Sequence, residues 1–170
     1  MQFASPSPEA TRAAARGLAS ALDERGLVVA LIGPLGAGKT VFAQGLAEGL
    51  GVDPAQVASP SFVIASEYPL AGGRRLAHVD LYRVGSRDEL DATGFLDLLE
   101  PGAVVAVEWA DRVPDALPAE RLEVRIERPD PRGAPTQRVV NAVAWGSVAE
   151  AALARWREVL AASALLAPAG

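Results

Sequence analysis

Apolar residues at Ala10, Ala13, Ala14, Leu18, Ala21 and Leu22 recur at helical spacing and stop at Gly26, which predicts a first helix. Ser7-Pro8-Glu9 supplies its start: a hydroxyl cap, a proline at the first helical position and an acid in the first turn. Leu27 to Ile32 is wholly apolar and rich in valine, the pattern of a strand buried on both faces of a parallel sheet. After a glycine-rich turn, Val41, Phe42, Leu46 and Leu50 mark a second helix that closes at Gly51. Ser61 to Tyr68 and Leu76 to Tyr82 read as two strands joined across Gly72-Gly73, a hairpin. Ser86-Arg87-Asp88-Glu89 has capping-box spacing and opens a short helix that Phe95, Leu98 and Leu99 continue.

Ala103 to Val107 is the next buried strand. Leu122, Val124 and Ile126 alternate with Glu123, Arg125 and Glu127, so this later strand shows one face to water and is expected at an antiparallel edge. Residues Pro129 to Pro135 form a turn, from which Val139 to Trp145 returns as the partner strand. The spacing Ser147-Val148-Ala149-Glu150 predicts a capping box for a final helix through Leu153, Trp156 and Leu160.

With 170 residues, half of them apolar and 22% charged, the chain is expected to form one domain over 1–170, frayed from about residue 163. It has no cysteine and one histidine, His78, which excludes disulfide frameworks, thiolate zinc sites, cysteine nucleophiles and any metal site that needs two imidazoles. No apolar run approaches the ~20 residues that span a bilayer, and the first residues lack the pattern of a signal peptide; the expected location is the cytoplasm. The net charge is −5, from 21 acidic and 16 basic residues. Autonomous binding to nucleic acid, which draws on a basic surplus to neutralise phosphates, is therefore not expected.

Between the first buried strand and the second helix lies Gly33-Pro34-Leu35-Gly36-Ala37-Gly38-Lys39-Thr40, a complete G-x-x-x-x-G-K-[ST] phosphate-binding loop. Its glycines let consecutive backbone N–H groups turn toward an anion, and the helix behind them points its positive dipole end the same way. Lys39 is the chain's only lysine; its ammonium reaches the outer phosphates as a point charge, and the Thr40 hydroxyl ligates magnesium. The fold class expected from this order is α/β: a three-layer, P-loop NTPase-like fold whose mixed, mostly parallel sheet has antiparallel additions and flanking helices.

Such a loop also needs an acid for the magnesium shell and a group that orients the nucleophile. Glu108, at the end of a buried strand, and Asp80, two residues from His78 and from Tyr82, are both candidates, and either fits as metal partner. Ser59-Pro60-Ser61-Phe62 places two hydroxyls on a stiffened segment of the kind that senses an outer phosphate, although as bare composition it reads as an ordinary turn. His78 alone is more often a packed, hydrogen-bonded residue than a proton carrier, and Tyr82 and Trp109 are more often core or rim aromatics than ligand contacts.

Taken together, the phosphate loop, Ser59-Pro60-Ser61-Phe62, His78-Val79-Asp80-Leu81-Tyr82-Arg83 and Glu108-Trp109 resemble the bacterial TsaE (YjeE) ATPases in order and spacing. The resemblance runs from about Ser7 to Ile126, with Ser61 in place of the family's usual threonine. It implies a P-loop fold that binds ATP or ADP with Mg2+, required for threonylcarbamoyladenosine next to the anticodon of tRNA, with TsaD-like and TsaB-like partners and weak hydrolysis alone. It also implies nucleotide contacts at Gly33, Leu35, Gly36, Ala37, Gly38, Lys39, Thr40, Val41, Ser61 and Trp109. Metal contacts are implied at Thr40, Glu108 and Asp80, and catalytic roles for Lys39, Asp80 and Glu108. Nucleotide contacts from Arg132 or Arg138 fall in the weakly matching tail. Two rivals are a small-molecule kinase and a nucleotide-bound assembly subunit with negligible hydrolysis; a GTPase is disfavoured because guanine readers use an Asn-Lys-x-Asp loop.

Overall fold

The structure is a computed structural model that describes residues 1–57, 64–129 and 135–163. Its strands are β1 (Gln2–Ser5), β2 (Leu27–Ile32), β3 (Ala65–Pro69), β4 (Arg75–Asp80), β5 (Val104–Glu108), β6 (Arg121–Glu127) and β7 (Arg138–Trp145). Helices α1 (Pro8–Ala21), α2 (Lys39–Gly49), α3 (Arg87–Asp91) and α4 (Ser147–Ala162) follow β1, β2, β4 and β7 respectively. The strands form one sheet in the order β1-β7-β6-β2-β5-β4-β3. Its centre, β6-β2-β5-β4, is parallel, while β1 on β7, β7 on β6 and β3 on β4 are antiparallel.

β2 is buried along its whole length because both sheet faces are covered. Leu27, Val29 and Leu31 pack with Leu18, Phe42, Leu46 and Trp156 from α1, α2 and α4. Val28, Ala30 and Ile32 pack on the opposite face with Val79, Val105, Leu90 and Phe95. Alternating side chains thus divide the core into two layers. Trp156 anchors the first layer: its indole N–H donates to the Ala14 carbonyl at 2.8 Å, and its ring meets Phe3 and Phe42 edge-on. Among the described residues, no helix is long and apolar enough to cross a membrane.

Three expectations need correction, and one strand was not anticipated. β6 is no edge: it lies between β2, to which it is parallel, and β7, to which it is antiparallel, and the edges are β1 and β3. Alternating burial reports which faces are covered and not which backbone groups find a neighbouring strand. The strand β1, absent from the sequence reading, is held by its pairing with β7. The last helix is not opened by a capping box, since Gly146 is its cap residue and offers no side-chain bond; Glu120 Oε1 instead accepts the Ala149 N–H at 2.9 Å. Phe95 to Leu98 form a separate 3-10 turn, because Gly94 at φ 78° breaks from α3. Ser61 to Val63 of the expected first hairpin strand, Arg132, and the tail from residue 164 lie outside the described residues.

Gly26 sets where β2 enters the sheet. Its φ is 70°, and a Cβ there would collide with the Ala103 carbonyl, which accepts the Leu27 N–H at 3.1 Å. Gly26→Ala is expected to cost about 2 kcal/mol or more, from left-handed strain plus the clash. A urea unfolding midpoint equal to wild type would contradict this packing.

Candidate nucleotide site

β2, β4 and β5 all run in parallel and end at the same side of the sheet, where Leu31 pairs with Glu108 and Asp80 pairs with Glu108 in register. The carboxyl ends of parallel strands at this kind of crossover are where ligands bind in open α/β sheets. The segment from Gly33 to Gly38 leaves β2 there. Gly36 and Gly38 sit at φ 71° and 109°, conformations that side chains resist, and the Ala37 N–H closes a turn on the Pro34 carbonyl at 3.1 Å. Leu35 is 79% exposed at the crest. α2 then begins at Lys39, with Gly38 as its cap and no side-chain bond to the first N–H groups, which have no partner within a helix either. Val41 follows in that first turn, half-buried.

Lys39 is only 4% exposed. Its ammonium donates to the Gly33 carbonyl at 2.7 Å and to the Pro34 carbonyl at 3.0 Å, and it lies 3.5 Å from the centre of the Trp109 ring. Burial pushes its pKa down, against the pull of the Glu108, Asp111 and Asp80 carboxylates. Trp109 reaches this place by a strained backbone: at φ 57° it is the one non-glycine residue with positive φ among the described residues. The Tyr82 ring packs beside it, with centroids 5.0 Å apart.

Glu108 is 2% exposed and has both carboxylate oxygens engaged. Oε2 accepts the Thr40 hydroxyl at 3.0 Å, and Oε1 accepts from His78 Nε2 at 2.8 Å. The other ring nitrogen of His78 is buried without a hydrogen-bond partner among the described residues, and the Glu108 contact orients the imidazole. Asp80 ends β4 and accepts the Tyr82 N–H on Oδ1 at 2.8 Å, a local turn that takes Tyr82 out of the strand and into solvent. Lys39, Thr40, Glu108, Asp80 and Trp109 are thereby gathered at the phosphate loop, whereas Ser61 lies outside the described residues.

The donors suit a phosphate chain with magnesium. Uncapped N–H groups and a buried ammonium favour an anion, and a hydroxyl beside a carboxylate offers hard oxygens to the metal. Among the described residues, no group of three or more His, Cys, Asp or Glu could hold a metal by itself.

Sequence reasoning raised Arg138 only as a nucleotide contact in the weakly matching tail and missed Arg128; both instead grip carbonyls of the loop from behind. Arg138 Nε donates to the Ala37 carbonyl at 2.7 Å, and Arg128 Nη2 to the Gly36 carbonyl at 3.2 Å. Nothing local in the sequence marks Arg138, because its partner lies 101 residues away. The His78–Glu108 contact was closer to legible, since both sit on apolar strands and His78 precedes Asp80 by one strand repeat.

The chain is similar to known proteins. A protein of Bacillus subtilis (strain 168), "tRNA threonylcarbamoyladenosine biosynthesis protein TsaE", is 41% identical over 128 residues, 75% of this chain and 78% of that one. A protein of the same description from Streptomyces coelicolor is 47% identical over 105 residues, 61% of this chain and 70% of that one. Among solved structures, "Crystal structure of Bacillus subtilus YdiB" superimposes with a TM-score of 0.69 at 33% identity, covering 93% of this chain and 94% of the other. The family profile "Threonylcarbamoyl adenosine biosynthesis protein TsaE" matches residues 5–139. That span runs from the end of β1 into β7 and takes in the loop and both acidic strand ends, and the chain belongs to the TsaE family.

Proposed function

We propose that this protein binds and hydrolyses ATP as one nucleotide-binding unit, and that it is required for threonylcarbamoyladenosine modification of tRNA next to the anticodon. The observation that carries the nucleotide chemistry is the 3.0 Å contact from Thr40 to Glu108 beside the uncapped start of α2. Family membership carries the link to tRNA modification.

In this reading the N–H groups from Gly36 to Thr40 cradle the phosphates, and Lys39 exchanges its two loop carbonyls for phosphate oxygens. Thr40 and Glu108 would hold magnesium, which when bound would supply positive charge against the phosphate oxygens. His78 keeps the Glu108 carboxylate turned toward Thr40. Asp80, beside Glu108 in the sheet, orients the attacking water, and Trp109 borders the site. Slow hydrolysis until TsaD-like and TsaB-like partners engage is part of this reading and follows from the family resemblance alone. The −5 charge supports reaching tRNA through those partners and not alone.

Calorimetry with ATP and magnesium, followed by phosphate release with and without the two partners, tests this reading. We expect magnesium-dependent binding, slow turnover alone and faster turnover in the complex. Absence of binding would overturn the proposal; a phosphorylated metabolite would favour the kinase, and zero turnover with partners the assembly subunit. Gel-shift binding of tRNA by the purified chain at physiological salt would remove the indirect route.

A further inference from the structure

Arg138 opens β7 and is 9% exposed. Its guanidinium donates from Nε to the Ala37 carbonyl at 2.7 Å and from Nη2 to the Gly36 carbonyl at 3.2 Å. Nη1 donates to the carbonyls of Pro135 and Gln137, each at 2.8 Å. Every one of these partners is a backbone oxygen. Among the described residues no carboxylate pairs with it. Burial, and then the neighbouring Arg128 guanidinium, push its pKa down, as expected for a cation taken out of water and held by carbonyl dipoles.

The placement has a geometric consequence. In a trans peptide the C=O and the next N–H point to opposite sides, and this chain has no cis peptide among the described residues. With the Ala37 carbonyl held by Nε, the Gly38 N–H must face away from Arg138. Glycines at 36 and 38 give the loop freedom to approach an anion closely, and the same freedom lets the intervening peptides flip at little cost. A fork that grips two consecutive carbonyls removes that freedom, which a point-charge ammonium does not.

We propose that Arg138 is a positioning residue of the phosphate loop: it locks the Ala37–Gly38 peptide with its N–H turned toward the bound phosphate. The inference rests on the nucleotide-binding reading above.

The test uses the full chain, its Arg138→Lys and Arg138→Met variants, ADP calorimetry and the amide resonance of Gly38. In wild type, ADP is expected to shift that resonance strongly. Arg138→Lys, which keeps charge and loses the fork, is expected to raise the ADP Kd about tenfold, and Arg138→Met about a hundredfold. In both, the Gly38 resonance should broaden or lose its shift even at saturating ADP, a change that general loosening of β7 does not produce. Should Arg138→Met fail to fold, Arg138→Lys and the wild-type resonance decide. A Gly38 resonance unmoved by ADP in wild type, folded variants within twofold of wild-type Kd, or weakened variants with an unchanged Gly38 shift would each overturn the proposal. No ADP binding by wild type would instead remove the nucleotide reading beneath it.

Discussion

Lys39→Met is expected to weaken ATP binding about a hundredfold or more while leaving the free protein at least as stable as wild type. The binding loss follows from removing a charged donor whose hydrogen bonds to phosphate oxygens are worth roughly 1.5–3 kcal/mol each. The stability expectation follows from where the ammonium sits. It is 4% exposed and held by two carbonyls and an aromatic face, and burial pushes its pKa below the ordinary lysine value. A lysine whose folded pKa is depressed binds protons more readily when unfolded, so its charge disfavours folding at neutral pH. That penalty disappears as pH rises through the folded value toward the unfolded one. The variant's advantage over wild type should therefore be largest near neutral pH and fade in alkali, while methionine keeps most of the stem packing. Calorimetry and thermal melts across pH measure both. Undiminished binding would refute Lys39 as the phosphate cation, and a stability gap that widened in alkali would refute the account of its burial.

Glu108→Gln is expected to lower the rate of phosphate release by about 10²–10³-fold while the protein folds and still binds nucleotide. Glutamine keeps an acceptor for His78 and a polar group for Thr40, so the contacts that join β5 to β4 and α2 survive. The negative charge that would hold magnesium does not. The affinity gained on adding magnesium should accordingly shrink, with little change in magnesium-free binding. Glu108→Ala is a harsher change. It leaves the buried His78, unpartnered at Nδ1 among the described residues, without its Glu108 partner at Nε2, at a cost of about 2–4 kcal/mol. Single-turnover phosphate release with magnesium titrated in separates the two effects. Wild-type turnover in Glu108→Gln would move the catalytic carboxylate elsewhere, with Asp80, its register partner, as the next residue to replace.

How legible each part was depended on the distance over which it is determined. Leu27 to Ile32, α1 with its Ser7 cap, and the hairpin from β3 to β4 were all readable because periodicity and turn residues act within one element. The start of α4 misled for the opposite reason. Ser147 and Glu150 match a local capping pattern, but Glu120, 29 residues from Ala149, reaches the helix end first. β1 was invisible because four residues carry too little pattern to stand out from a frayed terminus, and only the ladder with β7 makes them a strand.

The chemistry divides in the same way. The phosphate loop is eight contiguous residues whose glycines, lysine and threonine act through their own backbone and immediate neighbours, so it was plain in the chain alone. The pairing of Thr40 with Glu108, the His78 contact that turns that carboxylate, and the Arg138 fork behind Ala37 exist only once β2, β4, β5 and β7 lie in one sheet. Residues 68, 30 and 101 positions apart meet there. No local propensity encodes such a meeting, because the burial of apolar strand faces arranges it and the polar groups are carried along.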